Sequence, residues 1–256
     1  MNRLDQLFAA KKNNVLNMYC TAGYPQLHST TDIITALQDS GANIIELGMP
    51  YSDPLADGEV IQASSTVALH NGMTIEKLFE QLKDIRKTIH IPIILMGYMN
   101  PVLQFGIEKF CAAAKAVGVD GIILPDLPMY EFETMYKPLF DKNKLKFIFL
   151  VTPETSEARI KKIDTLCNGF LYAVSSSSTT GKNKAIEGQE DYFKKLQQLN
   201  LKNPILVGFG IKDKATFNAA CKYTNGAIIG TAYIKALENS TDIAQTTKEF
   251  LNTILG

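Results

Sequence analysis

Asn43-Ile-Ile-Glu-Leu-Gly-Met-Pro-Tyr-Ser-Asp-Pro-Leu-Ala-Asp-Gly58 is the stretch on which the reading of this chain turns. It begins as a short apolar strand with one carboxylate, Glu46, in its middle. It then breaks into a loop holding Pro50, Asp53, Pro54 and Asp57. An ionised side chain in a core strand is costly to desolvate unless it is paired or used. A buried carboxyl beside a second, loop-borne one suits general acid–base chemistry, because different surroundings push their pKa values apart. The plainer alternative is a satisfied core Glu followed by a turn with Asp in its usual place.

Outward from this stretch, eight short apolar runs recur, at 15–20, 44–47, 93–96, 121–124, 147–151, 170–174, 205–207 and 227–229. Most are rich in Ile, Val or Phe and many end at Gly or Pro, as buried parallel strands do. Segments of helical period separate them. Ile75, Leu78, Phe79, Leu82 and Ile85 share one face, as do Ile107, Phe110, Cys111 and Ala114. Ile160, Ile163 and Leu166 repeat the pattern, and so do Phe250, Leu251 and Ile254. Ser29 or Thr30 is placed to cap the helix through Leu37, and Ser156 the helix after Pro153. Strands alternating with helices over 256 residues predict an α/β fold, a single (β/α)8 TIM-barrel domain spanning 1–256. An extra N-terminal helix and a short helix after strand 8 complete it. An open doubly wound sheet is the runner-up, but no Gly-x-Gly-x-x-Gly follows the first strand.

The chain is 46% hydrophobic and 20% charged, which is ordinary globular composition. Its 26 basic and 26 acidic residues leave no overall basic field to attract nucleic acid or anionic lipid. Cys20, Cys111, Cys167 and Cys221 are far apart in apolar stretches, where small buried hydrophobes are expected rather than metal ligands or disulfides. The amphipathic start lacks the apolar region of a signal peptide, and no run approaches the ~20 apolar residues of a membrane span. A soluble cytoplasmic protein is the expectation. His28, His70 and His90 do not lie at strand C-terminal ends, and no metal site is expected.

In such barrels the working site lies at the C-terminal ends of the strands. Two long loops leave those ends, from Gly48 to about Ser64 and from Ser175 to Lys184, and read as lids or binding loops. Gly208-Phe-Gly-Ile211 ends strand 7, and Gly230-Thr-Ala232 ends strand 8 and opens a short helix. Unpaired backbone N–H groups there, with the helix dipole, favour a phosphate. Phe209, Gly210, Gly230 and Thr231 are the candidates, with Thr231 as helix cap and Gly181 as a further contributor from the polar loop. Singly, each glycine also reads as a turn residue. Tyr19, Thr21, Tyr98, Asn100, Asp126 and Tyr172 are further polar residues on strands or near their ends, although a tyrosine also packs well in a core. No Lys occurs in the first seven strand runs apart from Lys146 at the entry to strand 5, which argues against Schiff-base chemistry.

Taken together, Thr21-Ala-Gly-Tyr-Pro25, the block 45–58, Leu95-Met-Gly-Tyr-Met-Asn-Pro101, Leu124-Pro-Asp-Leu-Pro128, Gly208-Phe-Gly-Ile211 and Gly230-Thr-Ala232 resemble the tryptophan synthase alpha chain family. The resemblance covers essentially the whole length. It implies a lyase that cleaves indole-3-glycerol phosphate to indole and glyceraldehyde 3-phosphate, with no cofactor of its own. It also implies a beta-chain partner carrying pyridoxal phosphate, in an alpha2beta2 heterotetramer. Residue by residue, it implies Glu46 as the main acid/base and Asp57 as the carboxylate that meets the indole N–H. Tyr172 matches a tyrosine near the substrate, and Thr180 stands where the lid meets Asp57. Gly181, Gly210, Gly230 and Thr231 match phosphate-binding positions. The chain departs from the family at Ser176-Ser-Ser-Thr-Thr-Gly181, where an Arg and a Gly are usual, and at Glu59, where Pro is usual.

Overall fold

The computed structural model describes residues 1–175, 189–208 and 210–256. Parallel strands β1 (Val15–Thr21), β2 (Ile44–Gly48), β3 (Ile93–Met96) and β4 (Gly121–Ile123) lie side by side. On the other side of β1 follow β9 (Gly226–Ile229), β8 (Ile205–Gly208) and β7 (Leu171–Val174). The expected run 147–151 is not one strand but two short ones, β5 (Lys146–Phe147) and β6 (Leu150–Val151). Here the chain changes partner. β5 pairs with β4 and β6 with β7, while Ile148 N–H donates to the Ile122 carbonyl and Tyr172 N–H to that of Phe149. This change of partner brings the two ends of the sheet together and closes the predicted barrel.

Strand side chains alternate between the barrel interior and the surrounding helices. Ile45 and Leu47 of β2 point to the helices, so Glu46 and Gly48 face inward. The layer outside includes α2 (Ser29–Asp39), α4 (Ile75–Leu82), α6 (Ile107–Ala116), α9 (Glu157–Leu166) and α13 (Ile243–Leu255). The extra helix α1 (Arg3–Ala10) is capped by Asn2, whose side chain accepts from Leu4 N–H at 2.9 Å. It buries Leu4 and Phe8 over the N-terminal mouth, where Phe8 meets Phe170 with ring centroids 6.2 Å apart.

Several local expectations are corrected. The loop after β2 is shorter than expected, because helix α3 (Glu59–His70) begins inside it. The buried face of α3 is built from Ser64, Ser65 and Ala68, small residues that leave little hydrophobic period to read. Helix α2 has His28 at its cap position without a side-chain bond, and Thr30 Oγ1 instead accepts the Gly23 N–H at 3.0 Å. Ser156 does cap α9, accepting from Arg159 N–H. Helix α4 stops at Leu82, and Ile85 lies in a separate 3-10 turn. Of the cysteines, Cys20, Cys111 and Cys167 are buried, but Cys221 is only partly so. Among the described residues, no helix is long and apolar enough to cross a membrane.

Candidate active site

Strand β2 carries Glu46 into the barrel interior, where its residue is 1% exposed. Asn17, across on β1, donates from Nδ2 to Glu46 Oε2 at 2.7 Å. Burial drives the Glu46 carboxyl up to about 8; the Asn17 bond pulls against that rise, and the nearby Asp57 charge adds to it. Asp57, on the loop between β2 and α3, is 8% exposed. Its carboxyl is pushed up to about 6 by burial, opposed by the Tyr98 hydroxyl that donates to Oδ2 at 3.1 Å. Two buried carboxyls with separated titrations therefore stand at the C-terminal end of the barrel.

Three tyrosines frame them. Tyr19 is opposite Glu46 in the β1–β2 register, and its phenol lies across Gly48. A Cβ on Gly48 would come within 2.1 Å of the Tyr19 hydroxyl, so only glycine leaves room for that ring. Thr21 Oγ1 donates to the Tyr19 hydroxyl at 3.4 Å and shares a 2.7 Å hydrogen bond with Ser64 Oγ of α3. Tyr172 of β7 is buried; burial first, and then the charges of Glu46 and Asp57, raise its phenol well above the usual range. Tyr98, after β3, reaches the β2 loop. Asn100 reaches the same loop, donating to the Tyr51 hydroxyl at 3.1 Å.

The remaining expected residues divide by position. Asp126 is exposed, and both its oxygens accept from Met99 N–H at 3.0 Å, at the start of helix α5 (Met99–Phe105). It thereby caps that helix. Gly210 follows β8 with φ of +77°, a left-handed backbone that glycine adopts without strain. Gly230 ends β9 and takes the cap position of α12 (Thr231–Leu237). Thr231 is thus the first helical residue and not the cap. The first amides of a helix lack intrahelical acceptors and remain available to an anion. Thr180, Gly181 and Phe209 lie outside the described residues. Lys146 sits at the opposite end of the barrel, paired with Asp5 at 2.8 Å. Among the described residues, no three His, Cys, Asp or Glu side chains are grouped to hold a metal.

Sequence reasoning missed Asn17 and Gly48. Gly48 lay in plain view between Leu47 and Met49, but its reason is a ring from the neighbouring strand. Asn17 carried one available signal, an amide inside the apolar run 15–20.

The molecule is thus a (β/α)8 barrel of enzyme type with two perturbed carboxyl groups toward the C-terminal ends of its strands. The family model described as tryptophan synthase alpha chain matches residues 5–254. The alpha chain of Flavobacterium psychrophilum is 52% identical over 238 residues, covering 93% of this chain and 94% of that one. The alpha chain of Parabacteroides distasonis is 48% identical over 255 residues, covering 99% of both. Among solved structures, tryptophan synthase subunit alpha from Legionella pneumophila superposes with a TM-score of 0.89 at 33% identity, covering 99% of this chain and 97% of that one. A tryptophan synthase from M. tuberculosis, in an aminoacrylate-bound form, gives 0.86 at 28% identity, covering 99% and 100%. The chain belongs to the tryptophan synthase alpha chain family, and it is an enzyme of the lyase type in tryptophan biosynthesis.

Proposed function

We propose that this chain cleaves indole-3-glycerol phosphate to indole and glyceraldehyde 3-phosphate by retro-aldol acid–base catalysis. The observation that carries the reading is the buried Glu46 carboxyl, raised to about 8, beside Asp57 at about 6. Near neutral pH the first holds a proton and the second is largely ionised, which divides acid from counter-charge.

The Glu46 carboxylic acid gives its proton to indole C3, and the positive charge spreads to the ring nitrogen. The Asp57 carboxylate faces that charge in a site with little water. The resulting Glu46 carboxylate then takes the proton from the hydroxyl on the carbon attached to C3. That carbon becomes the aldehyde of glyceraldehyde 3-phosphate as the carbon–carbon bond breaks. The bonding pair returns to the ring and neutralises it, and Glu46 ends protonated again. One carboxyl thus serves both transfers, which suits a pKa close to the working pH.

Tyr19, Tyr98 and Tyr172 would pack the indole. Asp126 would line the mouth on the β4 side. Gly210, Gly230 and Thr231, together with Gly181 and Phe209, would hold the phosphate, and Thr180 would meet Asp57 on closure. Anchoring both ends of the substrate converts binding into orientation at the carbon–carbon bond. No cofactor enters this sequence of steps.

We further propose a single-domain cytoplasmic chain docked to a tryptophan synthase beta chain that carries pyridoxal phosphate, as an alpha2beta2 heterotetramer. Leu55, which is 88% exposed, supports this, with Leu103, Tyr130 and Met135 also solvent-facing on segments after β2, β3 and β4. Exposed large apolar side chains on segments that follow neighbouring strands fit an interaction surface. The balanced charge supports neither nucleic acid nor a membrane as partner.

The test is to incubate the purified chain with indole-3-glycerol phosphate and follow free indole and glyceraldehyde 3-phosphate. Equal amounts of both should form, and cognate beta chain should speed release at least several-fold. No indole with or without the beta chain would overturn the reading. Full-rate cleavage without association in sedimentation would leave a free-standing indole-releasing lyase.

A further inference from the structure

Asn17 is a costly residue for its place. It lies on the inner face of β1 with none of its surface exposed, two residues before Tyr19, the residue opposite Glu46. Its Nδ2 is used on Glu46, but its Oδ1 has no hydrogen-bond partner among the described residues. An unpaired buried acceptor destabilises a fold, and a β-branched apolar residue would suit this strand position without that cost. A half-satisfied amide kept against this one carboxyl needs a reason other than packing.

We propose that Asn17 is a positioning residue for Glu46, tying down Oε2 so that Oε1 carries the exchangeable proton toward the substrate. The inference rests on the reading above, in which Glu46 transfers the proton. An amide N–H has no lone pair with which to accept, so a proton on Oε2 would face a donor; the stable place for it is Oε1. Asn17 is also the one side chain among the described residues whose hydrogen bond opposes the rise caused by burial. The titratable groups that feel the Glu46 charge are Asp57 on the β2 loop, Tyr19 and the outward-pointing Cys20 on β1, and Tyr172 on β7. Burial pushes the Cys20 thiol up to about 12, and both phenols stand well above their usual range. Only Asp57 changes charge near neutrality, so a change in the Asn17 bond has a readable signature in the alkaline titration of Glu46.

The sign follows from the bond. Nδ2–H stabilises the ionised carboxylate, so removing it lets the Glu46 pKa rise further. The catalytic cycle starts from the protonated form, and activity is lost as pH rises through that pKa. Asn17→Leu, close in shape and apolar, should therefore move the alkaline limb of kcat upward by at least about half a pH unit. It should also lower kcat by roughly ten-fold, while KM, set by the phosphate and ring, changes by less than about two-fold. Asn17→Asp keeps the shape but sets a second carboxyl against Glu46, so the pair shares a proton and the upper limb rises again. The two variants are measured from pH 5.5 to 10 as complexes with the cognate beta chain, with circular dichroism to show folding, so that Asp decides if Leu does not fold. Alkaline limbs that stay in place, or a rise in KM with kcat unchanged, would overturn the proposal. Glu46→Gln is run beside them. If it is inactive while the Asn17 limbs stay in place, only the role of Asn17 falls; if it is active, the parent reading falls and takes this inference with it.

Discussion

The Tyr98 hydroxyl donates to Asp57 Oδ2 at 3.1 Å while accepting the Ala56 N–H at 3.0 Å. A residue after β3 thereby fixes both the backbone and the carboxylate of the β2 loop. The bond favours the ionised form of Asp57 against the burial that opposes it. It also holds the two carboxyls in different environments, which is the condition for giving them opposite protonation states.

Tyr98→Phe should therefore raise the Asp57 pKa and loosen its loop. We expect a fall in kcat of roughly ten-fold at pH 7, partly recovered at higher pH as Asp57 ionises. A pH series of kcat checks this. A loss that is the same at every pH would assign Tyr98 to packing alone.

The wild-type profile should be a bell. Asp57 must lose its proton, which gives an acid limb near its value of about 6; Glu46 must keep its proton, which gives an alkaline limb near about 8. The two groups interact, so the limbs belong to the pair. Rates of indole release across pH 5–10 test this, and a rate that keeps climbing to pH 10 would show that Glu46 does not act as the initial acid.

Much of this candidate site is legible in the amino-acid sequence. Glu46 stood out because a carboxylate inside Ile-Ile-Glu-Leu has few reasons to be there, and Asp57 because its loop follows at once. Strand existence was legible from apolar runs, but the split at Ile148 and Phe149 was not, because both pieces are apolar and only pairing partners distinguish them. Helix α3 escaped because its buried face is Ser and Ala, which carry little hydrophobic signal. Asn17 and Gly48 escaped for a shared reason. Their purpose lies on a neighbouring strand, and strand register is a tertiary fact that no local pattern encodes.

Gly48→Ala should cost activity without unfolding the barrel. The added Cβ would meet the Tyr19 hydroxyl at 2.1 Å, so the ring must leave its place beside Glu46. A displacement of that size is worth about 10²-fold in kcat/KM. Steady-state kinetics on the folded variant measure it, and wild-type values would show that the Tyr19 ring position is not used.

The opposite end of the barrel should answer in stability instead. Asp120, just before β4 and 2% exposed, accepts from Arg86 Nη2 at 2.7 Å, Arg3 Nη1 at 3.1 Å and the Ile93 N–H at 3.1 Å. Asp120→Ala strands these donors and should lower stability by about 3–5 kcal/mol, read as the urea midpoint. Activity of the molecules still folded should be unchanged. A midpoint within experimental error of wild type would contradict this assignment.

Glu46→Gln separates proton transfer by this one buried carboxyl from every other contribution of the site. Gln keeps the shape and hydrogen bonding but carries no transferable proton. It also removes the cost of ionising a buried group whose pKa is raised. The native protein holds that proton more tightly than the unfolded chain, so wild-type stability falls as pH rises toward about 8, and the variant should be the more stable above that. The measurement is indole release from indole-3-glycerol phosphate at pH 7, wild type against Glu46→Gln, each with cognate beta chain. The variant should be folded and at least about 10²-fold slower; one that keeps more than about a tenth of the wild-type rate would show that Glu46 does not transfer the proton.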